Sequence, residues 1–235
     1  QGFEDWIDDD AILDVGTHRE PNLEIVNEAE PDLIIGGYRF SEYTDELGRI
    51  APTLDIAPSD DAEGGYVESL KRQTASLGVV FDREEQAAEI IAALDDAEAN
   101  AADRTTGQSV FLSVVSGGKI DNGAGRIGRI IEPLNLRDVF AGDAGDVHGD
   151  SGLAPEAVAA ANPDWMIVLD RDAAAGEPGA APAKSVIDAQ EAFARTTFAS
   201  EDQIIYLDPY FYTRESIQAY AETYEQLADA FSNAS

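Results

Sequence analysis

Two arginines of this chain occupy equivalent positions in an internal repeat. Residues 24–39 and 156–171 align without a gap, share seven identical residues, and end in Arg39 and Arg171. Each copy has the pattern of an amphipathic helix that ends before Pro-Asp, followed by a short apolar run typical of a buried strand. Ligands of open parallel sheets bind beyond the carboxyl ends of the strands. The repeat therefore predicts two guanidinium groups at a site for an anionic ligand.

The segment 123–129, GAGRIGR, is a second candidate for anion binding. Gly123, Gly125 and Gly128 fit the G-x-G-x-x-G pattern of dinucleotide-binding loops, but no acidic residue for a ribose lies at the required distance. Arg126 also stands where the helix would approach a pyrophosphate. We interpret the segment as a glycine-rich loop that presents Arg126 to an anionic ligand, with dinucleotide binding as the alternative.

The histidines and serines give little support to catalysis. His18 is interpreted as a structural or exposed residue, whereas His148 lies in HGDSG, directly before the second repeat. No H-E-x-x-H or His-x-x-x-His spacing is present, so a structural zinc site is not expected. Ser116 and Ser151 both lack the G-x-S-x-G pattern of a serine nucleophile. The sequence therefore predicts no enzyme.

Three adjacent aromatic residues, 210–212, follow the sequence YLDP at the end of a predicted strand. All three cannot be buried at a turn between a strand and a helix. One interpretation is packing that is partly core and partly surface. The alternative is that Tyr210 or Tyr212 lines a ligand cleft, as a flat wall or as a phenolate ligand for a hard metal.

Strands alternate with helices along the chain, which predicts an α/β fold with mainly parallel sheets. The two repeat copies predict two related lobes. A long stretch rich in Ala, Glu and Asp, without Gly or Pro, lies between them and predicts a connecting helix over 82–105. We expect an N-terminal lobe over 1–81 and a C-terminal lobe over 106–235. The alternative for the long helix is an ordinary surface helix within one domain.

The composition excludes several classes of function. The chain has 47 Asp and Glu against 15 Lys and Arg, a formal net charge of −32, and no cysteine. Such a surface repels nucleic acid and anionic lipid, and disulfides and thiolate metal sites are excluded. We interpret the acidic surface as adaptation to concentrated salt, where charge repulsion is screened. An acidic partner-binding face is the alternative.

The order of the motifs resembles the substrate-binding proteins of iron–siderophore ABC importers, in the branch that binds ferric catecholates such as petrobactin. The resemblance rests on NLEIVNEAEPDLIIGGYRFSEYTDELGRIAPT, GGKI…GRIGRII, HGDSGLAPEAVAAANPDWMIVLDRD and IIYLDPYFY. It implies a periplasmic-binding-protein-like fold, with two α/β lobes joined by a single long helix. It also implies capture of a ferric siderophore for an ABC importer permease, without catalysis and without an intrinsic cofactor.

The resemblance further implies a monomer outside the cytoplasm. The protein would be anchored to the membrane or held at the cell surface by a signal or lipoprotein segment that this chain does not contain. Relatives begin with a further strand–helix–strand unit before the region matching Gly2 to Gly16, so we expect a first lobe that is short of sheet. Haem or cobalamin is the alternative ligand, and an enzyme on a two-lobed scaffold is a more distant alternative.

The site residues carried over from the family fall into three groups. The expected ligand contacts are Arg39, Arg126 and Arg171. His148 and Tyr212 are expected to ligate the iron of a tetradentate siderophore, with Tyr210 as the alternative phenol, since Fe(III) favours phenolate oxygen. Glu24 and Glu156, which the repeat pairs with each other, are expected to dock on the permease.

Overall fold

The computed structural model describes residues 9–17, 19–143, 152–176 and 178–233, with only the backbone described at 143 and 212. The chain divides into two compact units, Gln1–Ser69 and Leu70–Ser235, called unit 1 and unit 2 below. In the described part of the chain, no helix is long and apolar enough to cross a membrane.

Unit 1 contains the first copy of the repeat. Its elements in chain order are α1 (Leu23–Glu28), β1 (Ile34–Gly36), a 3-10 helix (Tyr38–Tyr43), α2 (Thr44–Leu47) and β2 (Thr53–Asp55). The side chain of Asn22 caps α1 by accepting hydrogen bonds from the amides of Glu24 and Ile25. The helix therefore begins at Leu23, next to the start of the repeat at Glu24.

The sheet of unit 1 has two parallel strands in the described residues, with Ile34 paired to Thr53. The prediction that the repeat strand is buried is wrong for this copy. Ile35 is 40% exposed and Leu54 is 37% exposed. Ile34 and Gly36, on the opposite face from Ile35, are half-buried, because successive strand residues point to opposite faces of a sheet.

Two long helices follow. Helix α3 (Gly65–Val80) begins in unit 1 and continues into unit 2, and α4 (Glu84–Arg104) lies entirely in unit 2. The helix predicted between the repeats is therefore confirmed as an element, and it buries a stripe of Ala and Leu side chains that includes Leu94 and Ala101. Its role as a connector, and the lobe boundaries at 81 and 106, stay predictions.

Unit 2 is built around one sheet. Its strands are β3 (Ser109–Ser116), β4 (Lys119–Asn122), β5 (Arg137–Asp138), β6 (Trp165–Asp170) and β7 (Ile204–Tyr206). The strand order is β4-β3-β6-β7, and the short β5 pairs with the amino-terminal end of β3. Of the strand pairs described in this sheet, β3–β4 is antiparallel and the others are parallel. The predicted mainly parallel sheet is confirmed.

Helices lie between these strands and after the last of them. They are α5 (Ala124–Ile131), a 3-10 helix (Ala141–Asp143), α6 (Pro155–Ala161), α7 (Arg171–Ala175), α8 (Ala183–Asp188), a 3-10 helix (Glu191–Arg195), α9 (Thr197–Ser200), α10 (Phe211–Arg214) and α11 (Ile217–Asn233). The second copy of the repeat, α6 followed by β6, has the predicted layout, and β6 is buried along its whole length.

The core of unit 2 forms on both faces of its sheet. One cluster joins Phe111 of β3 and Met166 of β6 to side chains of α8 and α9, including Phe198. Helix α11 packs along α4 and buries Tyr220 and Tyr224. A parallel sheet covered on both faces requires nearly continuous apolar strands, and β3 and β6 have them.

Candidate functional site

The carboxyl ends of the parallel strands of unit 2 define one edge of the sheet. Strands β3, β6 and β7 end there at Ser116, Asp170 and Tyr206. The β3–β4 turn, the first turn of α7 and the segment leading to α10 lie directly beyond these ends. The sequence predicted ligand binding at such an edge, and these segments carry two of the predicted side chains, Arg171 and Tyr210.

Arg171 is the first residue of α7 and follows β6 immediately. Its Nη1 donates a hydrogen bond to Ser116 Oγ at 3.1 Å, and the side chain is half-buried. The carboxylate of Asp170 caps α7 by accepting from the amide of Ala173 at 3.0 Å, and it also accepts from the amide of Ala183 at 2.8 Å. Asp170 therefore joins the start of α7 to the start of α8 and fixes the backbone next to Arg171.

Asp172 ties the β3–β4 turn to the same helix. Its buried carboxylate accepts hydrogen bonds from the amides of Gly117 and Gly118 at 2.8 and 2.9 Å. Both glycines have positive φ, +59° and +69°, a conformation that favours glycine. The D-R-D sequence did not indicate this role, because a buried carboxylate cannot be told from the many exposed ones by residue type.

Helix α5 presents Arg126 from its first turn, with the side chain half-buried. A Cβ at Gly123 would lie 2.7 Å from the carbonyl carbon of Ser113, so Gly123 allows the start of α5 to lie against β3. Gly128 has open space around it, whereas the third glycine of a dinucleotide loop makes the close helix–strand contact. This difference favours the interpretation of the loop as a support for Arg126.

Two side chains of the aromatic corner, Phe211 and Tyr210, differ in burial. Phe211 is buried and contacts the ring of Tyr220 edge-on, at 5.1 Å between centroids. Tyr210 is half-buried, and the Arg214 guanidinium lies 5.3 Å from the centroid of its ring. Tyr212 lies in α10, and its side chain is outside the description.

Basic residues concentrate on these elements. Five of the fifteen Lys and Arg residues of the chain lie on the start of β4, on α5, on α7 and on α10: Lys119, Arg126, Arg129, Arg171 and Arg214. The sequence motifs indicate two of them, Arg126 and Arg171. The same elements carry two acidic residues, Asp121 and Asp172, and the charge of Arg129 is compensated by an ion pair with Glu215. Their formal charge is still positive in a chain with a net charge of −32, and a local positive charge attracts anions.

The other predicted residues lie elsewhere. Arg39 is exposed in the 3-10 helix after β1, in unit 1, and so repeats the placement of Arg171 after a strand. Glu24 and Glu156 are exposed in the first turns of α1 and α6, one in each unit. His148 lies outside the described residues.

No group of three or more His, Asp or Glu side chains that could hold a metal occurs among the described residues. Two other tyrosines of unit 2 are poor phenolate ligands. Burial raises the pKa of both Tyr206 and Tyr224, and their hydroxyls have no hydrogen-bond partner within the described part of the chain. Each therefore stays a neutral phenol.

Most of the chain matches one known protein family. The family model described as periplasmic binding protein matches residues 4–211. The chain belongs to the periplasmic binding protein family. The predicted family and its α/β fold are confirmed, and membership implies a location outside the cytoplasm.

Several periplasmic binding proteins are similar to this chain. The petrobactin-binding protein YclQ of Bacillus subtilis is 29% identical over 204 residues, 85% of this chain and 62% of that protein. Its crystal structure matches with a TM-score of 0.76 at 26% identity, covering 97% of this chain and 80% of that chain. The ferric-anguibactin-binding protein FatB of Vibrio anguillarum is 26% identical over 186 residues, 76% of this chain and 55% of that protein.

A third similar binding protein is the periplasmic catecholate-siderophore binding protein VctP of Vibrio cholerae. Its crystal structure matches with a TM-score of 0.76 at 25% identity, covering 97% of this chain and 82% of that chain. The chain spans less than two thirds of the length of the two curated relatives, YclQ and FatB.

Proposed function

We propose that this protein captures a ferric siderophore of the catecholate type and delivers it to an ABC importer, without catalysis. The observation that carries the proposal is the basic edge of the unit 2 sheet, where Arg171 is held beside Ser116 in an otherwise strongly acidic chain. The names of the similar binding proteins, for petrobactin, ferric anguibactin and catecholate siderophores, support the same class of ligand.

The chemistry of the ligand fits this edge. A ferric complex of catecholates carries net negative charge on oxygen atoms, and guanidinium groups donate paired hydrogen bonds to such oxygens. Arg126 and Arg171 supply this chemistry from unit 2, and the resemblance adds Arg39 as a further ligand contact. Ordinary surface lysines would be weaker in this role, because an ammonium group lacks the planar fork of donors.

The experiment is a titration of the protein with a panel of complexes, followed by tryptophan fluorescence. We expect tight binding of an anionic ferric catecholate and at least about tenfold weaker binding of a neutral ferric hydroxamate, since that complex lacks the charge. If the protein prefers haem or cobalamin, that compound and not a siderophore is its ligand. Absence of binding to every member of the panel would contradict the proposal.

Direct ligation of iron by His148 and Tyr212, with Tyr210 as the alternative phenol, stays part of the proposal. A tetradentate catecholate leaves two of the six iron positions open, and a phenolate that fills one of them changes the charge-transfer band. In the same titration, followed by visible absorption, the charge-transfer band of the ferric complex should shift on binding. Tyr212→Phe should return the band to its position in the free complex. If Tyr212→Phe and Tyr210→Phe both give the same band as the wild-type protein, neither tyrosine is an iron ligand.

The permease is the proposed partner, and Glu24 and Glu156 are the proposed docking residues. Both are exposed in the first turn of a helix. Charge reversal at both positions should leave ligand affinity unchanged and abolish uptake in cells, because acidic groups would no longer meet arginines of the permease. Glu84→Lys is the matched control, since Glu84 is also exposed in the first turn of a helix. Normal uptake by the double variant would refute the assignment.

A further inference from the structure

An ion pair joins α5 to the segment after the aromatic corner. Arg129 Nη1 lies 2.8 Å from Glu215 Oε1, and the two side chains are 32% and 29% exposed. The residues are 86 positions apart in the chain. Arg129 follows Arg126 by three positions, so both lie on the same side of α5. Glu215 is the C-cap residue of α10, and Tyr210 is its N-cap residue.

The backbone at Glu215 is unusual for its residue type. Its φ is +34° and its ψ is +38°, the left-handed conformation in which glycine is the ordinary choice. A residue with a side chain persists there when its surroundings determine its conformation. Three contacts hold Glu215 in place. Its amide donates to the carbonyl of Phe211 at 2.9 Å, and its carboxylate meets Arg129 and accepts a long hydrogen bond from Tyr220 Oη at 3.4 Å.

The short helix α10 is held by contacts at both of its ends and through Phe211. It contains four residues, and its entry is fixed by Asp208, which accepts from the amide of Tyr210 at 2.9 Å. Phe211 packs on Tyr220, and α10 also contacts α7, which begins with Arg171. The ion pair is a polar contact between α5, which also carries Arg126, and the C-terminal end of α10.

We propose that the Arg129–Glu215 ion pair is a positioning contact, which holds the aromatic corner against α5 so that Tyr210, Arg126 and Arg171 meet one ligand in a fixed arrangement. The proposal rests on the proposed function. Because Glu215 compensates the charge of Arg129, this arginine adds little net attraction for an anion. Its role is distinct from that of the ligand-binding arginines.

The first measurement needs no ligand. Amide hydrogen exchange over residues 207–216 should rise at least about threefold in Arg129→Gln and in Glu215→Gln, because the exit of α10 loses its contact with α5. The exchanged-charge variant Arg129→Glu/Glu215→Arg should restore wild-type protection. Lys184→Gln is the matched control, since it breaks the 2.8 Å ion pair with Asp188 on α8. Unchanged exchange in both single variants would overturn the proposal.

The second measurement is affinity for a ferric tetradentate catecholate. Arg129→Gln and Glu215→Gln should each weaken binding about 3- to 10-fold, and the exchanged-charge variant should recover to within about twofold of wild type. Arg129→Lys, which keeps the charge, should lose less than Arg129→Gln. If the exchanged-charge variant binds no better than the single variants, Arg129 acts on the ligand directly, and the positioning role is wrong.

Glu215→Gly separates the side chain from the backbone. It relieves the left-handed conformation but removes the carboxylate, so it should lose affinity as Glu215→Gln does. Wild-type affinity in Glu215→Gly would assign the effect to backbone conformation and overturn the proposal. A wild-type protein that binds no ferric siderophore would refute the proposed function, while the exchange measurement would still decide the positioning role.

Discussion

At the scale of single residues, the site depends on how Arg171 is held. The two aspartates on either side of it in the sequence, Asp170 and Asp172, are both buried and accept backbone hydrogen bonds from different segments. Their carboxylates therefore fix the backbone at Arg171, while its side chain contacts Ser116. A charged donor that is positioned before the ligand arrives loses less conformational entropy on binding.

The corresponding prediction concerns the three arginines. Arg171→Ala, Arg126→Ala and Arg39→Ala should each weaken ferric catecholate binding by about 1.5–3 kcal/mol, the range for a hydrogen bond to a charged group. This corresponds to about 10- to 150-fold in Kd. Arg195→Ala is the control, because Arg195 is exposed in the second 3-10 helix of unit 2 and has no proposed role. Equal affinity of all three variants and the control would contradict the proposed anionic ligand.

At the scale of elements, the position of α5 depends on the absence of one side chain. Gly123 lies against the backbone of Ser113 in β3, with three backbone atoms within 3.0 Å of where a Cβ would be. The same helix contains Gly128, which has no neighbour within 4 Å of that point. Two glycines of one motif therefore have different physical roles, although the sequence pattern treats them alike.

These two glycines form a matched pair for a stability measurement. Gly123→Ala should lower the free energy of unfolding by about 1–3 kcal/mol, since the backbone of β3 must move to admit the methyl group. Gly128→Ala should leave it unchanged or raise it by up to about 1 kcal/mol, because alanine is the better helix former. Urea unfolding monitored by circular dichroism gives both values. Destabilisation by Gly128→Ala as large as that by Gly123→Ala would mean that the helix, and not its contact with β3, is sensitive.

At the scale of the whole molecule, charge is the dominant feature. A net charge of −32 on 235 residues opposes the compact state through self-repulsion. The basic edge of unit 2 is a local exception among the described residues, and it attracts anions within an otherwise acidic chain. Adaptation to concentrated salt stays our interpretation of the acidic surface, because salt screens the repulsion without affecting the buried apolar core.

This interpretation predicts that salt stabilises the protein. The midpoint of thermal unfolding should rise by at least about 2–4 °C, equivalent to about 1 kcal/mol for a chain of this size, between 0.05 and 0.5 M KCl. Most of the rise should occur in this range, where the Debye length falls steeply below about 10 Å. Sucrose at matched osmolality is the control, since it does not screen charge. A midpoint that is insensitive to KCl would contradict the interpretation.

The sequence by itself determined the features that depend on local patterns. Periodicity and the order of apolar runs were sufficient for the α/β class, the parallel sheet and the long helix that ends at Arg104. The repeat placed Arg39 and Arg171 shortly after strands, three residues and one residue beyond the strand end, because a strand end is set by neighbouring residues. Motif order was sufficient for the family.

Only the tertiary structure decided which side chains meet. Asp172 and the glycine turn are 55 positions apart, and Arg129 and Glu215 are 86 positions apart, so no local pattern could pair them. The exposure of Ile35 could not be predicted from the sequence either, since its apolar run is equivalent in the repeat to the buried strand β6. Burial depends on how many neighbouring strands and helices cover a strand, and this is a property of the packed fold and not of the strand's own residues.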